Sequence, residues 1–252
     1  MPEIRIDPLT GQRVIVAGER ATRPGGELRA PPVEPIDPEQ DPFAGGHEDR
    51  TPAELFALRP AGSSPDTPGW SVRVVPNLYP ALRPDAEAPP PYAERDLFWS
   101  AAAQGFHEVI INAPDPVGSL AELTVGQVIT AVGVWRERMR AHAEAACVHL
   151  IVNEQRAAGA SLPHTHAQLY ALPFVPAAIA RERERFGAYA TRTMGGNLLA
   201  DLVQHEVRQR ERIVAIDGEA VVMAPFGARV PYHRRPIRYR LRGQSGAFCR
   251  TG

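Results

Sequence analysis

The sequence predicts an α+β fold in which a helix packs on an antiparallel sheet. Three observations carry that expectation. Residues 124–146 place Val128, Ala131, Val132, Trp135 and Met139 at helical spacing, so one face of a helix is apolar. Ser71–Val75 and His107–Asn112 before it, and Val148–Val152 and the segment around His166 after it, are short runs suited to strands. The resulting order, two strands, a helix and two strands, is that of a layered α+β unit.

Each element has a local reason. Residues 4–17 read as two strands around the turn Asp7-Pro8-Leu9-Thr10-Gly11. Residues 24–70 are rich in Pro, Gly and acidic residues and read mostly as loop, with a short helix expected at Pro52–Leu58. Residues 84–95 form another Pro-rich connection. Thr124 is suited to cap the long helix. Two further helices are expected at Ala177–Phe186 and Leu198–Arg212, then a hairpin over 213–224 with Asp217-Gly218 at its turn. The segment 236–252 shows neither helical nor strand periodicity. From Ala220 onward there are seven arginines and no acidic residue, so the end of the chain reads as an irregular basic tail.

Composition narrows the function. The chain has 252 residues, enough for one large or two modest domains, and 44% hydrophobic residues permit a real core. A net charge of −1 argues against a general nucleic-acid binder. No apolar run reaches about 18 residues, so no membrane span is expected. The opening MPEIRIDPLT lacks the apolar stretch of a secretory signal. Cys147 and Cys249 cannot make a disulfide framework, and the expected location is cytoplasmic.

The most informative segment is His164-Thr165-His166-Ala167-Gln168, preceded by Asn153 and by Gly159-Ala160-Ser161. In an extended strand, alternate side chains share a face at roughly 6–7 Å spacing. His164, His166 and Gln168 are therefore expected to point the same way. Such a pair of histidines can be a structural metal site or merely solvated. It can also serve a phosphorus centre, one imidazole attacking while its neighbours orient it and hold oxygens. The flanks favour the last reading. Gly159 lets backbone approach a ligand, and Ser161 offers a hydroxyl and an amide to a phosphate.

Residues 153–176, NEQRAAGASLPHTHAQLYALPFVP, resemble the active-site segment of the galactose-1-phosphate uridylyltransferases, the transferase branch of the histidine-triad superfamily. The family pattern is Asn, then Gly-x-Ser, then His-x-His-x-Gln. Hydrolases of the superfamily carry a third His where Gln168 stands. Arg5–Gly11 with Glu19–Pro24 is similar to the family's opening strand and basic loop, and Val72–Pro80 to its nucleotide-binding strand. The likeness runs in order from about residue 4 to about residue 225.

That resemblance implies a two-step transfer of UMP between UDP-glucose and galactose 1-phosphate, in galactose metabolism. His166 would be the nucleophile and form a uridylyl-histidine. Gln168 would donate its amide to phosphoryl oxygens, and Ser161 would hold the displaced phosphate. Asn153 and Gly159 would line the nucleotide side. Asn77, Leu78 and Tyr79 would contact the uridine. Arg20 and Arg23 would contact phosphate or sugar phosphate. An ADP-sugar or dinucleoside polyphosphate phosphorylase of the same superfamily is the alternative, as is an inactive remnant.

Many members of the family hold a structural zinc with a Cys-x-x-Cys pair, a later His and the first His of the motif. Here Asp41 and Ala44 stand at the cysteine positions and Pro116 at the later His. No zinc and no other cofactor is expected, and His164 is expected to orient the loop by hydrogen bonding. The implied organisation is a histidine-triad-like domain over 1–176, a partial second half over 177–235 and the tail. The likeness stops at about Arg234, so a truncated or frame-shifted gene is expected, with a homodimer or a separately encoded second half as partner.

Overall fold

The computed structural model describes residues 2–17, 35–90, 97, 98, 100–230 and 232–238. Chain contacts divide it into two compact units, one of residues 30–175 and one of residues 1–29 with 176–246.

The first unit is built on a five-stranded antiparallel sheet of β3 (Phe56–Leu58), β4 (Val72–Pro76), β5 (Phe106–Ile111), β6 (Cys147–Ile151) and β7 (His166–Leu172), in the spatial order 3-4-5-7-6. The helix α1 (Val125–Ala141) lies between β5 and β6 in the chain. It opens with a reciprocal cap. Thr124 Oγ1 accepts from Gln127 N–H, and Gln127 Oε1 accepts from Thr124 N–H. Ala131 and Val134 bury against Val72, Val74, Ile110, Val148, Ala167 and Leu169, with Trp135 and Met139 alongside.

The expected α+β sheet-and-helix arrangement is present, with local differences. Val132, expected on the packed side, is exposed, and Val134 takes its place. The packed face thus follows 131, 134, 135 and 139. The helix ends at Ala141, before a turn over 142–145. Phe56–Leu58, expected to be helical, is an edge strand paired with β4. Leu55 N–H donates to Val74 O, so sheet pairing overrides the local helical tendency of Pro-Ala-Glu-Leu. A single 3₁₀ turn sits earlier, at Glu48–Arg50.

Strands β5 and β7 pair from Phe106↔Ala171 to Ile111↔His166. Because side chains alternate, His107, Val109 and Ile111 face one way with His166, Gln168 and Tyr170. Glu108 and Ile110 face α1. The face away from α1 has its own cluster of Phe43, Trp70, Val75, Val109 and Ile111, with Ala57 and Leu162 packed against it.

The second unit holds the hairpin β1 (Glu3–Ile6) and β2 (Arg13–Val16), the helices α2 (Ala177–Arg192) and α3 (Leu198–Gln209), and a three-stranded sheet. That sheet comprises β8 (Ile213–Ile216), β9 (Ala220–Met223) and β10 (Arg235–Arg238), with β9 central. Val203 of α3 packs on Val221, Met223 and Ile237. The N-terminal hairpin groups by chain contacts with residues 176–246. Asp7 caps its own turn through Leu9 and Thr10 N–H, and its Cα lies so near Gly227 that a Cβ there would come within 2.9 Å. The strand Arg235–Arg238 runs into the segment 236–252, expected to be irregular, because Ile237 buries beside Val221. Residues 239–252 lie outside the described part. Among the described residues no helix is long and apolar enough to cross a membrane.

Candidate active site

Several backbone and side-chain polar groups around His164-Thr165-His166 are tied to neighbouring elements. Thr165 N–H donates to Val117 O at 2.8 Å, and Asn112 N–H donates to Thr165 O at 3.3 Å. Asn112 Nδ2 donates to Thr165 Oγ1 at 3.2 Å, while its Oδ1 accepts from Trp135 Nε1 at 3.0 Å. Glu154 accepts from Ser119 Oγ and Leu120 N–H, at 2.9 and 2.6 Å, and so pins the approach to the loop.

His164 lies just before β7, whose regular pairing begins at His166, because Thr165 N–H is already committed to Val117. Phe43 meets both the His164 and the His166 rings, with centroids 6.0 and 5.3 Å away. The His164 ring is fully buried. Its Nδ1 donates to Asp41 Oδ2 at 2.6 Å and its Nε2 donates to Ala113 O at 2.9 Å. A carbonyl can only accept, and so can an ionised carboxylate. His164 and Asp41 thus form a buried hydrogen-bonded pair. Burial pushes the Asp41 carboxyl up, but the His164 hydrogen bond and charge and the Phe43 N–H outweigh it. They hold the carboxyl below its ordinary value.

His166 follows from this. Its Nδ1 donates to the His164 carbonyl at 2.7 Å, which leaves the Nε2 lone pair for chemistry. Phe43 meets the ring edge-on at 5.3 Å. Nε2 has no partner among the described residues, yet it is not among the buried side-chain atoms left without one. Burial lowers the pKa below its ordinary value, and the His164 charge adds to this. The bond to the His164 carbonyl and the Asp41 charge oppose it. The net result is a neutral imidazole near pH 7, as a nucleophile requires.

Gln168 lies two residues along on the same face. Its Oε1 accepts from Tyr170 Oη–H at 2.8 Å and from His107 Nε2 at 3.0 Å. His107 is stacked on Tyr170 with ring centroids 4.1 Å apart. Sequence reasoning gave His107 no role beyond opening a strand. Its alternation with Val109 and Ile111 was the signal available, since it places a polar ring on the face of two buried aliphatics.

Asn77 lies near the same cluster. Its N–H donates to His107 O at 2.9 Å, its Oδ1 accepts from Tyr79 N–H at 2.8 Å, and its Nδ2 lies 3.1 Å from His107 Nε2. Leu78 and Tyr79 are exposed beside it. Asn153 and Gly159 come together in the loop between β6 and β7. Gly159 closes a 3₁₀ turn at φ +90°, a left-handed conformation suited to glycine, and a Cβ there would sit 3.8 Å from Asn153 Nδ2. Ser161 is exposed on that loop. Arg20 and Arg23 lie outside the described residues.

The zinc that the sequence resemblance brings to mind does not fit the donors present. Ala44 and Pro116 carry no ligating side-chain atom, and both nitrogens of His164 are engaged with Asp41 and Ala113. Among the described residues no group of three His, Cys, Asp or Glu is arranged to hold a metal ion. In the second unit, the Glu182 carboxylate accepts from Arg235 at 3.1 and 3.5 Å.

Residues 1–176 match the family model described as "Galactose-1-phosphate uridyl transferase, N-terminal domain". The chain is 30% identical to an ADP-glucose phosphorylase of Arabidopsis thaliana over 242 residues, covering 92% of this chain and 64% of that protein. It is 31% identical to a galactose-1-phosphate uridylyltransferase of Haemophilus influenzae over 234 residues, covering 92% of this chain and again 64% of that one. A crystal structure of the Arabidopsis thaliana ADP-glucose phosphorylase with bound ADP-glucose superposes with a TM-score of 0.68 at 26% identity. That superposition covers 90% of this chain and 65% of the other. The chain thus spans slightly less than two thirds of these relatives.

Proposed function

This chain belongs to the galactose-1-phosphate uridyl transferase family, and from that premise we propose that it moves a uridylyl group between UDP-glucose and galactose 1-phosphate through a covalent bond to His166. The observation that carries the reading is the hydrogen bond from His166 Nδ1 to the His164 carbonyl. It fixes the tautomer with the lone pair on Nε2.

In the first step Nε2 attacks the α-phosphorus of UDP-glucose. A phosphorus–nitrogen bond forms, the bond to the bridging oxygen breaks, and glucose 1-phosphate leaves with the electron pair. In the second step an oxygen of galactose 1-phosphate attacks the same phosphorus, UDP-galactose forms, and His166 is released neutral. Splitting one displacement into two is covalent catalysis. Gln168, as a neutral amide, donates to the phosphoryl oxygens but cannot protonate the leaving group. The leaving group is already a phosphate, so none is needed. Ser161 holds the departing phosphate, Asn153 and Gly159 line the nucleotide side, and Asn77 to Tyr79 meet the base. No step passes through a metal.

A second reading, an ADP-sugar phosphorylase, is favoured by the similarity to the Arabidopsis thaliana protein. There the acceptor in the second step is a phosphate, and the first step is unchanged apart from the base. Incubation with UDP-glucose and, separately, with ADP-glucose, followed by intact mass, separates the two. The uridylyltransferase reading predicts a mass gain of one uridylyl group with UDP-glucose, absent in His166→Gly. An adenylyl gain alone supports the second reading. No gain with either overturns both and leaves a folded but inactive chain.

A further inference from the structure

We propose that His107 is a positioning residue whose Nε2–H, together with the Tyr170 hydroxyl, holds the carbonyl end of Gln168 and so presents its NH₂ end beside His166. The inference rests on the function proposed above for the meaning of that donor. The orientation itself stands on geometry alone.

The amide of Gln168 looks the same from either end, so something must decide which end faces the phosphorus. The decision starts on the backbone. Ala81 N–H donates to His107 Nδ1 at 3.1 Å. A backbone N–H has no acceptor form, so Nδ1 must be bare. The single proton of the neutral ring then sits on Nε2. Burial lowers the His107 pKa, while the bond to Gln168 opposes the shift, and the ring stays neutral near pH 7. Nε2 lies 3.0 Å from Gln168, and as a donor it requires the oxygen end there. Tyr170, whose hydroxyl is pushed up by burial and so stays protonated, donates to the same oxygen at 2.8 Å. Two donors on Oε1 leave Nε2H₂ of Gln168 on the other side, and it has no partner among the described residues.

One contact opposes this assignment. Asn77 Nδ2 is 3.1 Å from His107 Nε2 and would prefer that nitrogen bare. A bare Nε2 would put the proton on Nδ1, against Ala81 N–H. The half-buried Asn77 amide can turn to present its oxygen to His107 Nε2, whereas the Ala81 N–H can only donate. The backbone donor therefore sets the tautomer. The consequence reaches chemistry two residues from His166. A flipped Gln168 would aim a carbonyl oxygen at phosphoryl oxygens and repel them.

The test begins with the tautomer, read from the nitrogen chemical shifts and long-range proton couplings of the His107 ring in the intact chain. This needs no activity. The proposal predicts the proton on Nε2, and a proton on Nδ1 overturns it. The second arm compares two nearly isosteric variants, His107→Gln and His107→Glu, each checked for folding by thermal unfolding. Gln can still donate to the Gln168 oxygen. A Glu carboxylate attracts the NH₂ end and turns the amide round. His107→Gln should keep most of the rate of nucleotidyl transfer to the protein. His107→Glu should lose on the order of 100-fold, the usual scale for one oxyanion donor, with substrate KM little changed. Equal losses in both folded variants would mean a merely structural ring and overturn the proposal. If neither variant folds, Tyr170→Phe and the tautomer measurement decide. A native chain that forms no nucleotide adduct defeats the functional reading, while the tautomer still tests this one.

Discussion

His107 and Glu108 are neighbours in β5, both buried and both ionisable, yet they belong to different worlds. Glu108 faces α1. Its carboxylate accepts from Arg138 at 2.6 and 3.0 Å and pairs with His142 Nε2 at 2.7 Å. Burial raises its pKa, but those partners outweigh it and hold the carboxyl below its ordinary value. Ile110, Leu169 and Val148 close the rest of that face. His107 faces the other way, into a network with Gln168, Tyr170 and Asn77 that leaves donor and lone-pair atoms unspent. One strand pair thus carries one face whose charges are paired and another on which His166 and Gln168 keep polar atoms without a partner among the described residues, the face that the proposed chemistry would use. Burial alone therefore does not separate the two faces; the pairing of their polar atoms does.

That contrast can be broken by experiment. Asp41→Ala should have the largest effect, because it leaves the buried His164 Nδ1 without its partner. A cost of about 3–5 kcal/mol is expected for breaking a buried pair from one side. Since the His164 carbonyl orients His166, adduct formation by the folded fraction should slow as well. Denaturant unfolding and timed intact mass measure the two. Glu108→Ala should cost a similar roughly 3–5 kcal/mol through Arg138, yet leave the adduct rate per folded molecule unchanged. An equal rate loss would erase the distinction between the faces. Leu169→Ala should cost about 2–5 kcal/mol, again without a rate effect.

The pH dependence sharpens the same comparison. His166 must be neutral to attack, and its folded pKa lies below the ordinary 6.5. The adduct rate should therefore hold as pH falls through that value and decline only below it. A decline centred above it would contradict the buried setting. Glu108 and Asp41 have folded pKa values below their ordinary 4.5 and 3.8. Their stabilisation is present above those values and disappears as pH falls through the folded ones. Acid unfolding of Glu108→Gln should lose the Glu108 part of that dependence. The smallest effect belongs to Ser161→Ala. Ser161 is exposed, so stability should change by no more than about 0.5 kcal/mol, and any loss should appear in transfer rate alone.

Much of this was legible in the sequence, for identifiable reasons. The alternation of His166 and Gln168 is a local property of strands, and it is present. The full burial of His164 was not readable, because it depends on Asp41 and Ala113, far away in the chain. Asp41 could be seen as a changed ligand position, but its contact across 123 residues to His164 could not. His107 needed the register of β5 on β7, which only packing sets. Phe56–Leu58 and residues 236–238 were misread because pairing with β4 and β9 outweighs weak local preference.

The most direct test of the central claim locates the bond. Native chain exposed to UDP-glucose would be digested at neutral or basic pH, where a phosphorus–nitrogen bond survives, and sequenced by tandem mass spectrometry. The account predicts a uridylyl group on His166, lost on brief acid treatment and never seen in His166→Gly. A nucleotide attached to any other residue, or retained in His166→Gly, would contradict it.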